Sequence, residues 1–118
     1  IFSFIVLKVI LPARGVEQIR VGELHNRLKD ESIQFIDVRP PVQYERFHIF
    51  GFKNIPFRQL RKKASQLDKQ RPVVTICQTG AYGNRACKRL KRYGFKQLSN
   101  VQGGLSTWES IHSYRKPE

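Results

Sequence analysis

The groups in this chain able to do chemistry are two cysteines, three histidines and nine carboxylates. Cys77 stands directly after the apolar run Pro72-Val73-Val74-Thr75-Ile76 and directly before Gln78-Thr79-Gly80-Ala81-Tyr82-Gly83-Asn84. A helically spaced segment follows. A strand, a short Gly-bearing loop and a helix N-terminus form a nest whose backbone N–H groups point inward, and the helix dipole adds partial positive charge. Such a nest favours a thiolate, the nucleophilic form of cysteine. Its donors would also hold an anionic substrate or intermediate. The bland alternative is a buried cysteine that merely ends a core strand. The two loop glycines and the basic helix after them weigh against it.

The other candidates carry less. Cys87 falls inside the helically spaced segment and reads as a small buried hydrophobe rather than a resolving thiol. His25, His48 and His112 show no metal-ligand spacing with either cysteine, so no metal is expected. His48 is available as a base near Cys77, but a structural polar role is favoured. Trp108 reads as a core residue.

The elements that must position Cys77 follow from periodicity. Ile33-Gln34-Phe35-Ile36, ending in Asp37, is a β-branched and aromatic run, hence a strand. Pro72 to Cys77 is nearly continuous in apolar residues, the mark of a strand buried on both faces of a parallel sheet. Gln97 to Val101 is a weaker third strand. Helical spacing appears at Val21, Leu24 and Leu28, at Leu60, Ala64 and Leu67, and at Ala86, Leu90 and Tyr93, the last set stopped by Gly94. Gly103-Gly104 opens a final helix expected to turn Leu105, Trp108 and Ile111 inward. Strands separated by helices imply an α/β fold with a parallel sheet, and ligands in such folds bind beyond the carboxyl ends of the strands.

At 118 residues the chain is one domain, long enough for a core without disulfide staples. Hydrophobic residues at 40% and aromatics at 11% exclude disorder. Two cysteines exclude a disulfide scaffold, and a reducing compartment, the cytoplasm, is the default. Twenty-two Lys and Arg against nine Asp and Glu give a net charge of +13. No acidic residue lies between Asp68 and Glu109. Anionic partners fit this field, whether small anions, nucleic acid or an anionic lipid surface. Lys88, Arg89, Lys91 and Arg92 form one basic cluster and Arg58, Arg61, Lys62 and Lys63 another, but no aromatic residues interleave with them, which disfavours nucleic acid.

The N-terminal stretch, residues 1–15, stands apart from residues 16–118. Ile1 to Leu11 is apolar except for Ser3 and Lys8. Eleven residues rise only ~16 Å as a helix, short of a ~30 Å hydrocarbon core. The run reads as the tail of a transmembrane helix, an extra element packed on the domain, or a leader remnant. The first is favoured, with the domain on the cytoplasmic face beside anionic lipid.

Several ordered segments together resemble the rhodanese (sulfurtransferase) family. Phe35-Ile36-Asp37-Val38-Arg39 is similar to its Asp-Val-Arg signature. Tyr44, His48-Ile49-Phe50-Gly51 and Asn54-Ile55-Pro56 resemble its second segment. Val74-Thr75-Ile76-Cys77 with Gly80 resembles the active-site strand and loop. Tyr93-Gly94-Phe95 and Val101-Gln102-Gly103-Gly104 through Trp108 resemble its later elements. The resemblance covers about Glu17 to Trp108 and implies a three-layer α/β domain, a small parallel sheet with helices on both faces.

It also implies a chemistry. Cys77 would take a sulfane sulfur from a small sulfur-containing anion as a persulfide, held by N–H groups of the loop Gln78, Thr79, Gly80, Ala81, Tyr82 and Gly83. It would then pass that sulfur to a thiol, cyanide or protein acceptor, with no metal or organic cofactor. Asp37 and Arg39 would be structural partners around the loop. There are departures. Loops of this family often carry Arg where Gln78 and Tyr82 stand, so thiosulfate turnover is expected to be poor unless Arg85 and Lys88 compensate from the helix. Gln43 and Phe47 also depart and read as packing changes. Two competing functions remain. A non-catalytic rhodanese-like binding module would not use the cysteine. A phosphatase or arsenate reductase of the related Cys-x5-Arg type would need Arg where Gly83 stands, and the next arginine, Arg85, comes too late.

Overall fold

The apolar run before Cys77 forms the middle strand of a five-stranded, all-parallel sheet. The structure, a computed structural model, describes residues 15–115. In chain order the elements are β1 (Val16–Ile19), α1 (Val21–Arg27), β2 (Gln34–Asp37), α2 (Pro41–Arg46) and β3 (Lys53–Asn54). A 3-10 turn (Phe57–Gln59), α3 (Leu60–Lys63) and a second 3-10 turn (Ala64–Gln66) follow. Then come β4 (Val73–Ile76), α4 (Ala81–Arg92), β5 (Leu98–Val101) and α5 (Gly104–Arg115). The strand order is β1-β5-β4-β2-β3.

All four residues of β4 are buried, as a run flanked on both faces requires. Alternation divides the core into two layers. Val73 and Cys77 join Ile36, Leu60, Ala86 and Leu90 on the α3/α4 side. Val74 and Ile76 join Leu24, Phe35, Leu105 and Trp108 on the α1/α5 side. Helices cover both faces of a small parallel sheet, the three-layer architecture expected from the sequence.

Two local expectations are corrected. The helical spacing from Leu60 to Leu67 does not give one helix; α3 tightens into a 3-10 turn after Lys63. Ile111 is 38% exposed and does not join Leu105 and Trp108 in the core. Edge strands β1 and β3 and helix α2 carry no apolar run and were not anticipated. In β1 only Val16 and Ile19 are buried, and in α2 no residue is. The proposed membrane segment Ile1 to Leu11 lies outside the described residues, and among these no helix is long and apolar enough to cross a membrane.

The strand order fixes where a ligand can sit. After β2 the chain moves outward to β3, and after β4 it moves the opposite way to β5. The loops leaving these neighbouring strands therefore diverge, opening a crevice at their carboxyl ends.

Candidate active site

Cys77 lies at that crevice, one residue beyond β4, and is only 3% exposed. The chain turns sharply behind it. Gly80 caps α4 with φ +103°, a left-handed conformation open to glycine, and its N–H donates to Cys77 Sγ at 3.0 Å. The start of α5 buttresses the loop from behind. Leu105 and Ser106 N–H donate to the carbonyls of Cys77 and Gln78, each at 2.9 Å. This approach requires Gly104 (φ +59°), because a Cβ there would stand 2.3 Å from the Cys77 carbonyl oxygen.

A buried polar network secures the loop from the sheet side. Thr75 Oγ1 lies 3.0 Å from the Gly83 carbonyl and 3.2 Å from Asn100 Oδ1, and its one proton serves either. Asn100 Nδ2 donates to the Gly80 carbonyl and to Gln18 Oε1, both at 3.1 Å. Gln18 Nε2 donates to Asn84 Oδ1 at 3.0 Å, tying β1 to α4. Sequence reasoning missed this network. The available signal was a polar Thr in the most apolar strand and an Asn within the next.

The second cysteine belongs to the same network but not to the crevice. Cys87 Sγ is 3.2 Å from Thr75 Oγ1 and 3.6 Å from the Ser99 carbonyl, and the residue is fully buried. Burial pushes its thiol up to about 11, only partly offset by the Thr75 hydrogen bond. It forms no disulfide and packs as a small hydrophobe, as expected.

In front of Cys77 a cleft of about 670 Å³ opens between two sets of residues. Gln78, Thr79 and Tyr82 line one side, and Arg39, Pro40, Pro41, Pro56, Phe57 and Arg58 line the other. Of the remaining loop residues, Gly80 reaches the sulfur through its N–H, whereas Ala81 and Gly83 do not line the cleft. A Cβ on Gly83 would stand 2.1 Å from Asn100 Oδ1, so no arginine fits there and a Cys-x5-Arg clamp has no place to form.

The polar residues at the end of β2 hold the opposite wall. Asp37 and Arg39 form a buried, bidentate ion pair, with Nη2 at 2.9 Å and Nε at 3.0 Å from the carboxylate oxygens. Arg39 Nη2 also donates to the Phe47 carbonyl at 2.6 Å, and Asn54 Nδ2 donates to the carbonyls of Asp37 and Arg39. Buried charges need this degree of pairing.

The sequence leaves open whether Arg85 and Lys88 compensate for the missing loop arginines, and neither lines the cleft. The Arg85 guanidinium carbon lies 5.1 Å from the ring centroids of both Phe57 and Tyr82. The reading of Gln43 and Phe47 as packing changes is corrected. Gln43 lines the cleft, and Phe47 is 46% exposed. His48 stacks on Tyr44 with ring centroids 3.7 Å apart, and its Nδ1 lies 2.8 Å from the Tyr44 carbonyl, a structural role. Trp108 is buried and stacks on His112. The aromatic and proline wall went unrecognised in the sequence, because its residues come together only through the β2 and β3 exits.

An open parallel α/β sheet with a cysteine that accepts a backbone N–H at its switch point defines a class of domain, and comparisons narrow it. The rhodanese-like domain matches residues 20–111. The Uncharacterized protein YqhL of Bacillus subtilis is 31% identical over 108 residues, covering 92% of this chain and 80% of that protein. Thiosulfate sulfurtransferase GlpE of Coxiella burnetii is 29% identical over 96 residues, covering 81% and 90%. The crystal structure of a rhodanese-related protein from Thermoplasma volcanium superposes with a TM-score of 0.72 at 25% identity, covering 80% of this chain and 92% of that one. The chain belongs to the rhodanese-like family.

Proposed function

We propose that the protein is a sulfurtransferase in which Cys77 carries the sulfur. The carrying observation is the placement of Cys77 Sγ against the cleft with the Gly80 N–H aimed at it from 3.0 Å. A relative named as a thiosulfate sulfurtransferase supports the reaction class. In the first half-reaction the Cys77 thiolate attacks the outer sulfur of a small anionic donor. A new S–S bond forms at Sγ, and the donor's old bond to that sulfur breaks, its electron pair leaving with the rest of the donor. In the second half a thiol, cyanide or protein acceptor attacks the terminal sulfur and the thiolate is restored, a ping-pong cycle. The Gly80 N–H, at the N-terminus of α4, offers the sulfur anion a donor throughout.

Asp37 and Arg39 serve this reading as positioning residues that hold the wall opposite Cys77. The basic α3/α4 side favours anionic donors and acidic partners. Placement at the cytoplasmic face of a membrane, beside anionic lipid, belongs to the same proposal. It is supported by that charge and by the apolar run Ile1 to Leu11. Fractionation tests it: the full-length chain should stay with membranes in high salt, and appearance in the soluble fraction contradicts it.

Intact-mass analysis tests the reaction. The protein is incubated with thiosulfate, methanethiosulfonate or polysulfide, then with cyanide. The expected result is a gain of one sulfur atom on Cys77, removed by cyanide as thiocyanate. No gain from any donor overturns the reading in favour of a binding module.

A further inference from the structure

The cleft at Cys77 is the wrong size and the wrong chemistry for a small dianion. Thiosulfate is no bigger than a few water molecules, whereas about 670 Å³ lies within the range that holds organic ligands, roughly 300–1,000 Å³. The positive charge around the cleft is largely engaged. Arg39 gives its donors to Asp37 and the Phe47 carbonyl. Arg85 lies over Phe57 and Tyr82, and Arg89 lies 4.6 Å from the Phe57 centroid. Gln78, next to Cys77, is uncharged and donates to Ser106 Oγ at 3.1 Å. Arg58 is the one lining cation not engaged in this way among the described residues.

Much of the wall surface is apolar instead. Pro40, Pro41 and Pro56 continue into an aromatic pair, Phe57 and Tyr82, packed edge to face with centroids 5.3 Å apart. Arg85 stacks on both rings and Arg89 on Phe57, contacts that favour this arrangement of the pair. Tyr82 is 52% exposed, a large ring at the cleft mouth with surface still to cover.

We propose that this cleft selects an organic sulfane-sulfur monoanion, a thiosulfonate or persulfide bearing an apolar or aromatic group, over thiosulfate. The aromatic group packs on Phe57 and Tyr82, and the single negative charge is matched by Arg58 and the loop N–H. The proposal rests on the reading that Cys77 takes up sulfur. With an aryl thiosulfonate, the Cys77 thiolate bonds to the terminal sulfur, the bond between that sulfur and the sulfonyl sulfur breaks, and the electron pair leaves as aryl sulfinate. One negative charge ends on the persulfide and one on the sulfinate, so charge and electrons balance without an external oxidant. With an organic persulfide the Cys77 thiolate bonds to the terminal sulfur likewise, the donor's S–S bond breaks, and its electron pair leaves as the organic thiolate.

The test measures the rate of sulfur uptake on Cys77 from benzenethiosulfonate, methanethiosulfonate, benzyl persulfide and thiosulfate. Each rate is divided by the rate with free N-acetylcysteine to remove intrinsic reactivity. Benzenethiosulfonate should exceed thiosulfate by about tenfold or more, and Phe57→Leu or Tyr82→Leu should lower its rate by roughly three- to tenfold. Tyr82→Arg should raise the thiosulfate rate by about tenfold or more, since it adds a charge-assisted donor at the rim. A faster normalised rate with benzyl persulfide assigns the donor to the persulfides, and a faster rate with benzenethiosulfonate assigns it to the thiosulfonates. Uptake from all donors with thiosulfate equal or faster overturns the selectivity and leaves the sulfurtransferase reading standing. An unchanged benzenethiosulfonate rate in both aromatic variants also overturns it. No uptake from any donor overturns both.

Discussion

The two cysteines sit on the same side of the sheet, and their surroundings teach more than their burial does. Cys77 is 3% exposed and Cys87 is fully buried, so accessibility alone barely separates them. The separation lies in what each faces. Cys77 ends a strand at the switch point, accepts a backbone N–H and opens on a cleft. Cys87 is enclosed by α4, β4 and β5 and shares a hydrogen bond with Thr75. Strand topology makes the first a site, and helix packing makes the second part of the core.

Cutting the support under the Cys77 side should have the largest effect. Asp37→Ala leaves Arg39 buried without its carboxylate, and such losses cost about 3–5 kcal/mol. Chemical denaturation should show that loss, and sulfur uptake should fall with it as the cleft wall shifts. An effect below 1 kcal/mol, the size of a surface pair, would deny the wall its anchor.

The floor beneath both cysteines comes next. Gly83→Ala forces a Cβ to within 2.1 Å of Asn100 Oδ1, and overpacking of this kind costs about 1–3 kcal/mol. The midpoint of urea unfolding should drop accordingly. An unchanged midpoint would mean that α4 and β5 are not locked together through Asn100.

The third test concerns Cys87 alone. Its thiol is raised in the fold from 9.0 to about 11. The unfolded chain therefore loses that proton at lower pH than the folded one, and stability falls as pH rises from 9 to 11. The contribution is on the order of 2 kcal/mol. Wild type should lose stability across this window relative to Cys87→Ala. Parallel curves would place Cys87 in a more polar setting than its hydrogen bonds indicate.

The smallest effect is expected at the solvated edge strand β1. Glu17 is held below the ordinary carboxylate range by its hydrogen bonds to Arg27 and Ser99. It adds stability above the unfolded value of 4.5 that is lost as pH falls through the lower folded value. Glu17 is largely solvated, so Glu17→Gln should flatten the acid limb only slightly. A large change would show that β1 depends on this pair.

Much of this contrast was legible in the sequence, for physical reasons. β4 is buried on both faces and so carries an unbroken apolar run, and Cys77 follows it directly. Gly94, at φ +104°, marks the end of α4. What escaped reading depends on residues distant in sequence. β1 uses Glu17 and Gln18 for hydrogen bonds to Ser99, Asn84 and Asn100, so its polar residues hide it. Arg85 stands near the missing rim arginine in sequence, but where its side chain lies is decided by packing, which places it over Phe57 and Tyr82. The cleft wall is assembled from the exits of β2 and β3, which no local pattern joins to the cysteine.

The most direct measurement of the central claim is intact-mass analysis of sulfur uptake in three forms of the protein, each first shown to be folded. Wild type and Cys87→Ala should each gain one sulfur atom from the best donor, and Cys77→Ser should gain none. Equal sulfur uptake by Cys77→Ser, or its loss in folded Cys87→Ala, would contradict the assignment of Cys77 as the sulfur carrier.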